Sequence, residues 1–89
     1  MSDNHEKYSA LIKKLSNHQM TELEANEHKG DFDHWRPNRF ELVKELNHHL
    51  SKLRVAIMNH RHEEITEYSA DVANLCAKAI DLYGGGAPN

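Results

Sequence analysis

The 89-residue chain has little with which to cross-link, anchor or charge-steer itself. Its single cysteine, Cys76, excludes an internal disulfide framework. A lone thiol inside a helical apolar pattern is expected to pack in a core rather than react, and a reducing cytoplasm is the expected compartment. Apolar stretches are only a few residues long, and Met1-Ser2-Asp3-Asn4-His5-Glu6 is polar, so neither a signal peptide nor a membrane span is expected. No cluster of four or more Lys/Arg occurs, and 14 Asp+Glu outweigh 11 Lys+Arg for a formal net charge of -3. Nothing in that balance draws the chain to the phosphates of long nucleic acids. Segments alternating apolar with polar residues, and internal repeats, are missing as well. These absences leave one small all-α domain over residues 1–84 with a flexible tail over 85–89, too short for a two-domain enzyme.

What the chain does have is helical periodicity. Over residues 4–28, Tyr8, Leu11, Ile12, Leu15, Met20 and Leu23 recur mostly at three- and four-residue steps, as the stripe of an amphipathic helix does. Lys29-Gly30 is expected to close that helix, with Gly30 in the left-handed conformation. Residues 31–37 then read as an ordered loop carrying Phe32 and Trp35. Asn38, following Pro37, is placed to cap a second helix, with Glu41 three residues on in a capping-box arrangement. Leu42, Val43, Leu46, Leu50, Leu53 and Ile57 carry its stripe to about Met58. After a short turn at Asn59-His60-Arg61, a third helix spans residues 62–83. Its expected buried face holds Ile65, Tyr68, Val72, Leu75, Cys76, Ala79 and Tyr83, and Gly84-Gly85-Gly86 stops it. So short a turn predicts an antiparallel hairpin of helices two and three. A domain this small is expected to complete its core as a homo-oligomer, a dimer or a tetramer.

The chemistry-bearing face of helix three is Glu64, Glu67, Asp71, Asn74 and Lys78, spaced by three and four residues. Glu67 and Asp71 have the spacing at which two carboxylates can share a Mg²⁺, though a solvated acidic stripe has the same spacing. Ser69, Ala70, Ala73 and Ala77 are small enough for another helix to approach closely, and a polar pair such as Asp71 and Asn74 at that contact needs partners. Helix two offers Glu41, Glu45, His48, His49 and Lys52 from the opposite side of the hairpin, where bundles form ligand pockets. His is overrepresented, with eight copies. Adjacent His48 and His49 project about 100° apart on a helix, which argues against both ligating one zinc with Glu67 or Asp71. His60-Arg61-His62 reads as a solvent-facing turn. Phe32 and Trp35 read as a lid over the hairpin or as a platform for a base, with Lys29, Arg36 and Arg39 near enough in sequence to meet a phosphate.

The run Glu67-Tyr68-Ser69-Ala70-Asp71-Val72-Ala73-Asn74-Leu75 resembles the acidic Glu-Glu-x-Ala-Asp-Val-x-Asn helix of MazG-like all-α nucleotide pyrophosphohydrolases. Met20, Leu23, Asn26, Lys29 and Gly30, followed by Trp35, are similar to that family's Asn-x-x-Lys-Gly element with its nearby Trp. The resemblance covers roughly residues 20–84 and preserves the order of elements. It implies a helical bundle in which a Glu-Glu-x-x-Glu signature on one helix and a Glu-x-x-Asp signature on the next hold Mg²⁺ around a nucleoside triphosphate. Here the first signature is replaced by His48, His49 and Lys52, and in the second only Asp71 matches, since Tyr68 stands where a Glu is expected and Glu67 is one position off.

Imidazoles and an ammonium cannot hold the metal cluster that three carboxylates hold, but they can donate directly to phosphate. The expectation is therefore a protein without a catalytic set or cofactor that sequesters a small nucleotide. A phage anti-defence sponge for a cyclic signalling nucleotide in the host cytoplasm is its concrete form. The expected ligand-binding residues are Lys29, Trp35, Arg36, Glu45, His48, His49, Lys52, Glu67, Asp71, Asn74 and Lys78. Two other readings stand beside it. One is a Mg²⁺-dependent pyrophosphohydrolase using Glu45, Glu64, Glu67 and Asp71, and the other is a helical module that docks a protein partner.

Overall fold

A computed structural model describes residues 3–86 of the chain. Its helices are α1 (Asp3–Ala25), α2 (Arg39–Met58) and α3 (His62–Tyr83), with 3₁₀ turns at Glu27–Lys29 and Phe32–His34 between the first two, and there is no strand among the described residues. The all-α expectation holds. Helix α3 is the central element, with α2 packed along it and α1 laid against it.

Helix α1 ends a turn earlier than its periodicity predicts. The Asn26 side chain donates to the Glu22 carbonyl at 2.8 Å, an acceptor that its own backbone N–H also reaches at 3.2 Å, and so folds back on the last turn. The backbone then tightens into i→i+3 bonds, Lys29 N–H to Asn26 O and Gly30 N–H to Glu27 O. Gly30 has a positive φ of 129° as expected, but its ψ of 155° is extended and not left-handed helical, a combination open essentially only to glycine. The Asn38 side chain does cap α2, accepting from Glu41 N–H at 2.8 Å.

The α2–α3 connection is a Schellman motif. Arg61 N–H reaches Ala56 O and His60 N–H reaches Ile57 O, with His60 at φ 55° in the position glycine usually fills. His60, Arg61 and His62 are all exposed. At the far end of α3, Gly84 N–H closes on Ile80 O, and a Cβ on Gly84 would lie 2.6 Å from that oxygen. Of the expected tail, 87–89 lie outside the described residues, as do Met1 and Ser2.

The core is small. Leu42, Ala56, Ala70 and Leu75 are its buried apolar members, centred where α2 meets α3. Several expected core positions are exposed instead. Val43, Leu50 and Ile57 of α2 face outward, and so do Tyr8, Leu11, Ile12, Leu15 and Met20 of α1. Cys76 is also exposed, contrary to the expected packing. Its neighbours explain this: the buried arc of α3 runs through Ala70, Asn74, Leu75 and Lys78, and at about 100° per residue Cys76 lies roughly opposite the middle of that arc. Tyr83 is 38% exposed, its hydroxyl donating to Pro37 O at 2.7 Å and its ring lying under the Arg39 guanidinium.

The radius of gyration is 14.5 Å, against about 12 Å for a compact chain of this length. Every residue from 3 to 17 is exposed, so the first half of α1 is the least covered part of the fold. No helix among the described residues is long and apolar enough to cross a membrane.

Candidate functional site

Where α1 ends against the hairpin, the connecting segment bridges a cavity of about 470 Å³, within the usual range for a small-molecule pocket. Its walls come from four places in the chain. The last turns of α1 provide Glu22, Leu23 and Asn26; the connection provides Lys29, Gly30, Asp31, Phe32, His34 and Trp35; α2 provides His49; and α3 provides Asp71, Asn74 and Leu75.

Local chemistry holds the connecting segment in place. Asp31 caps the second 3₁₀ turn by accepting from Asp33 N–H at 2.9 Å, and its other oxygen lies 2.8 Å from His34 Nδ1. Phe32 and Trp35 sit with ring centroids 5.7 Å apart, tilted by 37°. Lys78 straps this aromatic pair to α3 from behind. It is only 4% exposed, its Nζ lies 4.7 Å from the Phe32 ring centroid, and it donates a long 3.5 Å hydrogen bond to Asp33 O. On the opposite wall Asn74, 6% exposed, is locked by Gln19, accepting from Gln19 Nε2 at 3.1 Å and donating to Gln19 O at 3.2 Å.

Two carboxylates on this wall are electrostatically displaced. Burial pushes the Asp71 carboxyl up from its ordinary range, with His49, Lys52 and Lys29 pulling the other way. Burial also raises Glu22, and the negative charges of Asp71 and Glu67 raise it further. His49 stands between carboxylates of two helices, its Nε2 3.5 Å from Glu45 Oε2 and its Nδ1 3.8 Å from Asp71 Oδ2. The Nδ1 is buried and has no hydrogen-bond partner.

Of the residues expected to bind ligand, Lys29, Trp35, His49, Asp71 and Asn74 meet in this cavity. The others do not line it. His48 is turned along α2, its ring edge-on to His49 with centroids 5.3 Å apart, and with Lys52 it lines a separate shallow groove that also holds Tyr68 and Arg61. Lys52 places its ammonium 5.4 Å from the Tyr68 ring centroid. The expected cluster of His48, His49 and Lys52 therefore splits across two faces, as adjacent helical positions must. Glu45 reaches the site only through His49, Glu67 and Arg36 are exposed outside the lining, and Lys78 is consumed as the strap. Lys78 also lines a second cavity, of about 430 Å³, on the other side of Phe32.

Sequence reasoning missed Glu22, Asp31 and His34 as cavity residues. Glu22 was within reach of it, because Glu22, Asn26 and Lys29 follow at four- and three-residue steps and share one face. Asp31 and His34 lie in a non-periodic connection, where spacing carries no such signal.

Among the described residues, no three His, Cys, Asp or Glu side chains are grouped to hold a metal ion. His48, His49 and Lys52, two imidazoles and an ammonium, are not the oxygen ligands that Mg²⁺ takes. Comparison with family models, with curated proteins and with solved structures gives no match.

Proposed function

We propose that this chain is a non-catalytic nucleotide-binding protein, related to the MazG-like proteins it resembles, that sequesters a small nucleotide in the cavity between α1 and the hairpin. The observation that carries this reading is the cavity's division of labour. Phe32 and Trp35 offer π surface from the connection, while Lys29 beside them, His49 of α2 and Asp71 and Asn74 of α3 bring polar groups to the same cavity. A nucleoside has a flat stacking face and a hydrogen-bonding edge, and such a pocket suits both. In biological form this is a sponge, a phage protein that withdraws a cyclic signalling nucleotide from a host defence pathway.

The same reading includes assembly with further copies. The chain exposes 7207 Å², whereas a compact monomer of 10.3 kDa exposes about 5,400 Å². The excess, about 1,800 Å², is more than the roughly 800 Å² that each partner buries in a standard interface. Leu11 at 69% and Ile12 at 64% exposure sit in the middle of the uncovered part of α1, on the surface a second copy would cover.

The test is to incubate the purified protein with a panel of cyclic dinucleotides, mononucleotides and triphosphates with Mg²⁺, then to quantify bound and free species by mass spectrometry after filtration and after denaturation. A nucleotide depleted from the filtrate and returned intact on denaturation is the expected result. Release of a monophosphate plus pyrophosphate would identify an enzyme instead, and no depletion of any species would shift the reading to a protein partner.

A further inference from the structure

We infer that the cavity selects a base whose edge presents two adjacent N–H donors beside one acceptor, the pattern of guanine, read by Glu22, Asp71 and Lys29. This rests on the nucleotide-binding reading above and deepens it. Both carboxylates line the cavity, one from α1 and one from α3, and Lys29 lines it from the connection, close enough to act electrostatically on each of them. An ionised carboxylate only accepts hydrogen bonds, and an ammonium only donates. Two acceptors with one donor are the complement of guanine's N1–H, N2–H₂ and O6.

Other bases fit this set poorly. Adenine would turn its N1 lone pair toward a carboxylate oxygen, and uracil has one N–H flanked by two carbonyl oxygens. Each leaves an acceptor facing an acceptor, an arrangement that discriminates against the wrong base. Phe32 and Trp35 supply the stacking surface but are indifferent to base identity, because every base has a π face.

The phosphate end is also oriented by this charge pattern. Glu22, Asp31 and Asp71 all line the cavity and repel a phosphate, so the base enters first and the phosphate stays toward solvent. The carboxylates of Glu22 and Asp71 line one cavity, where like charges repel. A base edge that donates to both relieves that repulsion on binding. The buried, unpartnered Nδ1 of His49 beside Asp71 supplies one further polar atom on this wall.

The experiment is isothermal titration of the full chain at neutral pH with GMP, IMP, AMP and UMP, and with cyclic di-GMP and cyclic di-AMP. Guanine ligands are expected to bind at least about tenfold more tightly than their adenine or uracil counterparts, and IMP, which lacks the 2-amino donor, about tenfold more weakly than GMP. Asp71→Asn should reduce guanine binding at least about tenfold while sparing AMP, because the amide supplies a donor for adenine N1. Glu22→Gln is the second variant should Asp71→Asn lose its helical circular dichroism. Equal binding of guanine and adenine ligands, or unchanged guanine binding by a folded variant, would overturn the selectivity while leaving nucleotide binding in place. No binding by any of the six ligands would overturn both.

Discussion

Gln19 and Asn74 hold each other by two hydrogen bonds, Gln19 Nε2 to Asn74 Oδ1 at 3.1 Å and Asn74 Nδ2 to the Gln19 carbonyl at 3.2 Å, and so join α1 to α3 across 55 positions of sequence. Because α1 buries no residue of its own, this amide pair carries much of the specificity of its docking. Asn74→Ala removes both bonds and leaves part of the Gln19 amide unsatisfied in a part-buried place. The expected cost is about 1–3 kcal/mol, read as a lower urea midpoint. Amide exchange in the second half of α1 should accelerate at the same time. An unchanged midpoint would mean that α1 is held by other contacts.

The raised carboxyls make stability depend on pH in a defined sense. Asp71 and Glu22 bind protons more tightly folded than unfolded, their ordinary values being 3.8 and 4.5. Between those values and the higher folded ones, the folded state holds more protons, so stability falls as pH rises through that window. Their contribution is fully favourable only below it. Asp71→Asn removes one of the two groups, so the variant should gain stability relative to the parent as pH is raised from about 4 toward neutrality. Parallel stability profiles for the two proteins would refute the sign.

His60 occupies the left-handed corner of the α2–α3 turn at φ 55°. A side chain there costs about 1–2 kcal/mol, part of which glycine returns through its freer unfolded state. His60→Gly is therefore expected to stabilise by roughly 0.5–1 kcal/mol, raising Tm by a few degrees. A fall in Tm would show that the imidazole makes a compensating contact.

The uncovered stripe on α1 gives the assembly proposal a direct check. Leu11→Glu together with Ile12→Glu places two charges in the exposed apolar surface, and sedimentation velocity should then report a single chain where the parent sediments as an oligomer. Circular dichroism should keep its helical signature. A parent that already sediments as a monomer would end the proposal.

The helices were legible because their evidence is periodic and local. Asn38 as a cap, the hairpin turn at residues 59–61 and the stop at Gly84 each follow from one or two side chains. What sequence could not supply was which stripe is covered. Leu11, Ile12 and Leu15 have the same spacing as Leu42 and Leu46, yet the first set is exposed while Leu42 is buried. Periodicity shows that a face is apolar and leaves open whether its cover is the same chain. Cys76 misled for the same reason, since an apolar arc wider than the contact leaves its edge in solvent. In the site, Asp71, Asn74 and His49 were found through helical register, whereas the role of Lys78 as a strap depends on a loop carbonyl, that of Asp33, which no spacing rule reaches.

The cavity lies on the seam between α1 and the rest of the fold, and that position gives any occupant mechanical leverage. Its walls join residues 22–35 to His49 and Asp71–Leu75, so a molecule filling it fastens the most weakly held helix to the central one. Occupancy at a hundred times the dissociation constant would add about 2.7 kcal/mol to that fastening. A protease able to cut frayed helix would then distinguish filled from empty protein, trimming α1 rapidly in one and slowly in the other. The state of the pocket would be written in the lifetime of a helix whose first half does not touch it.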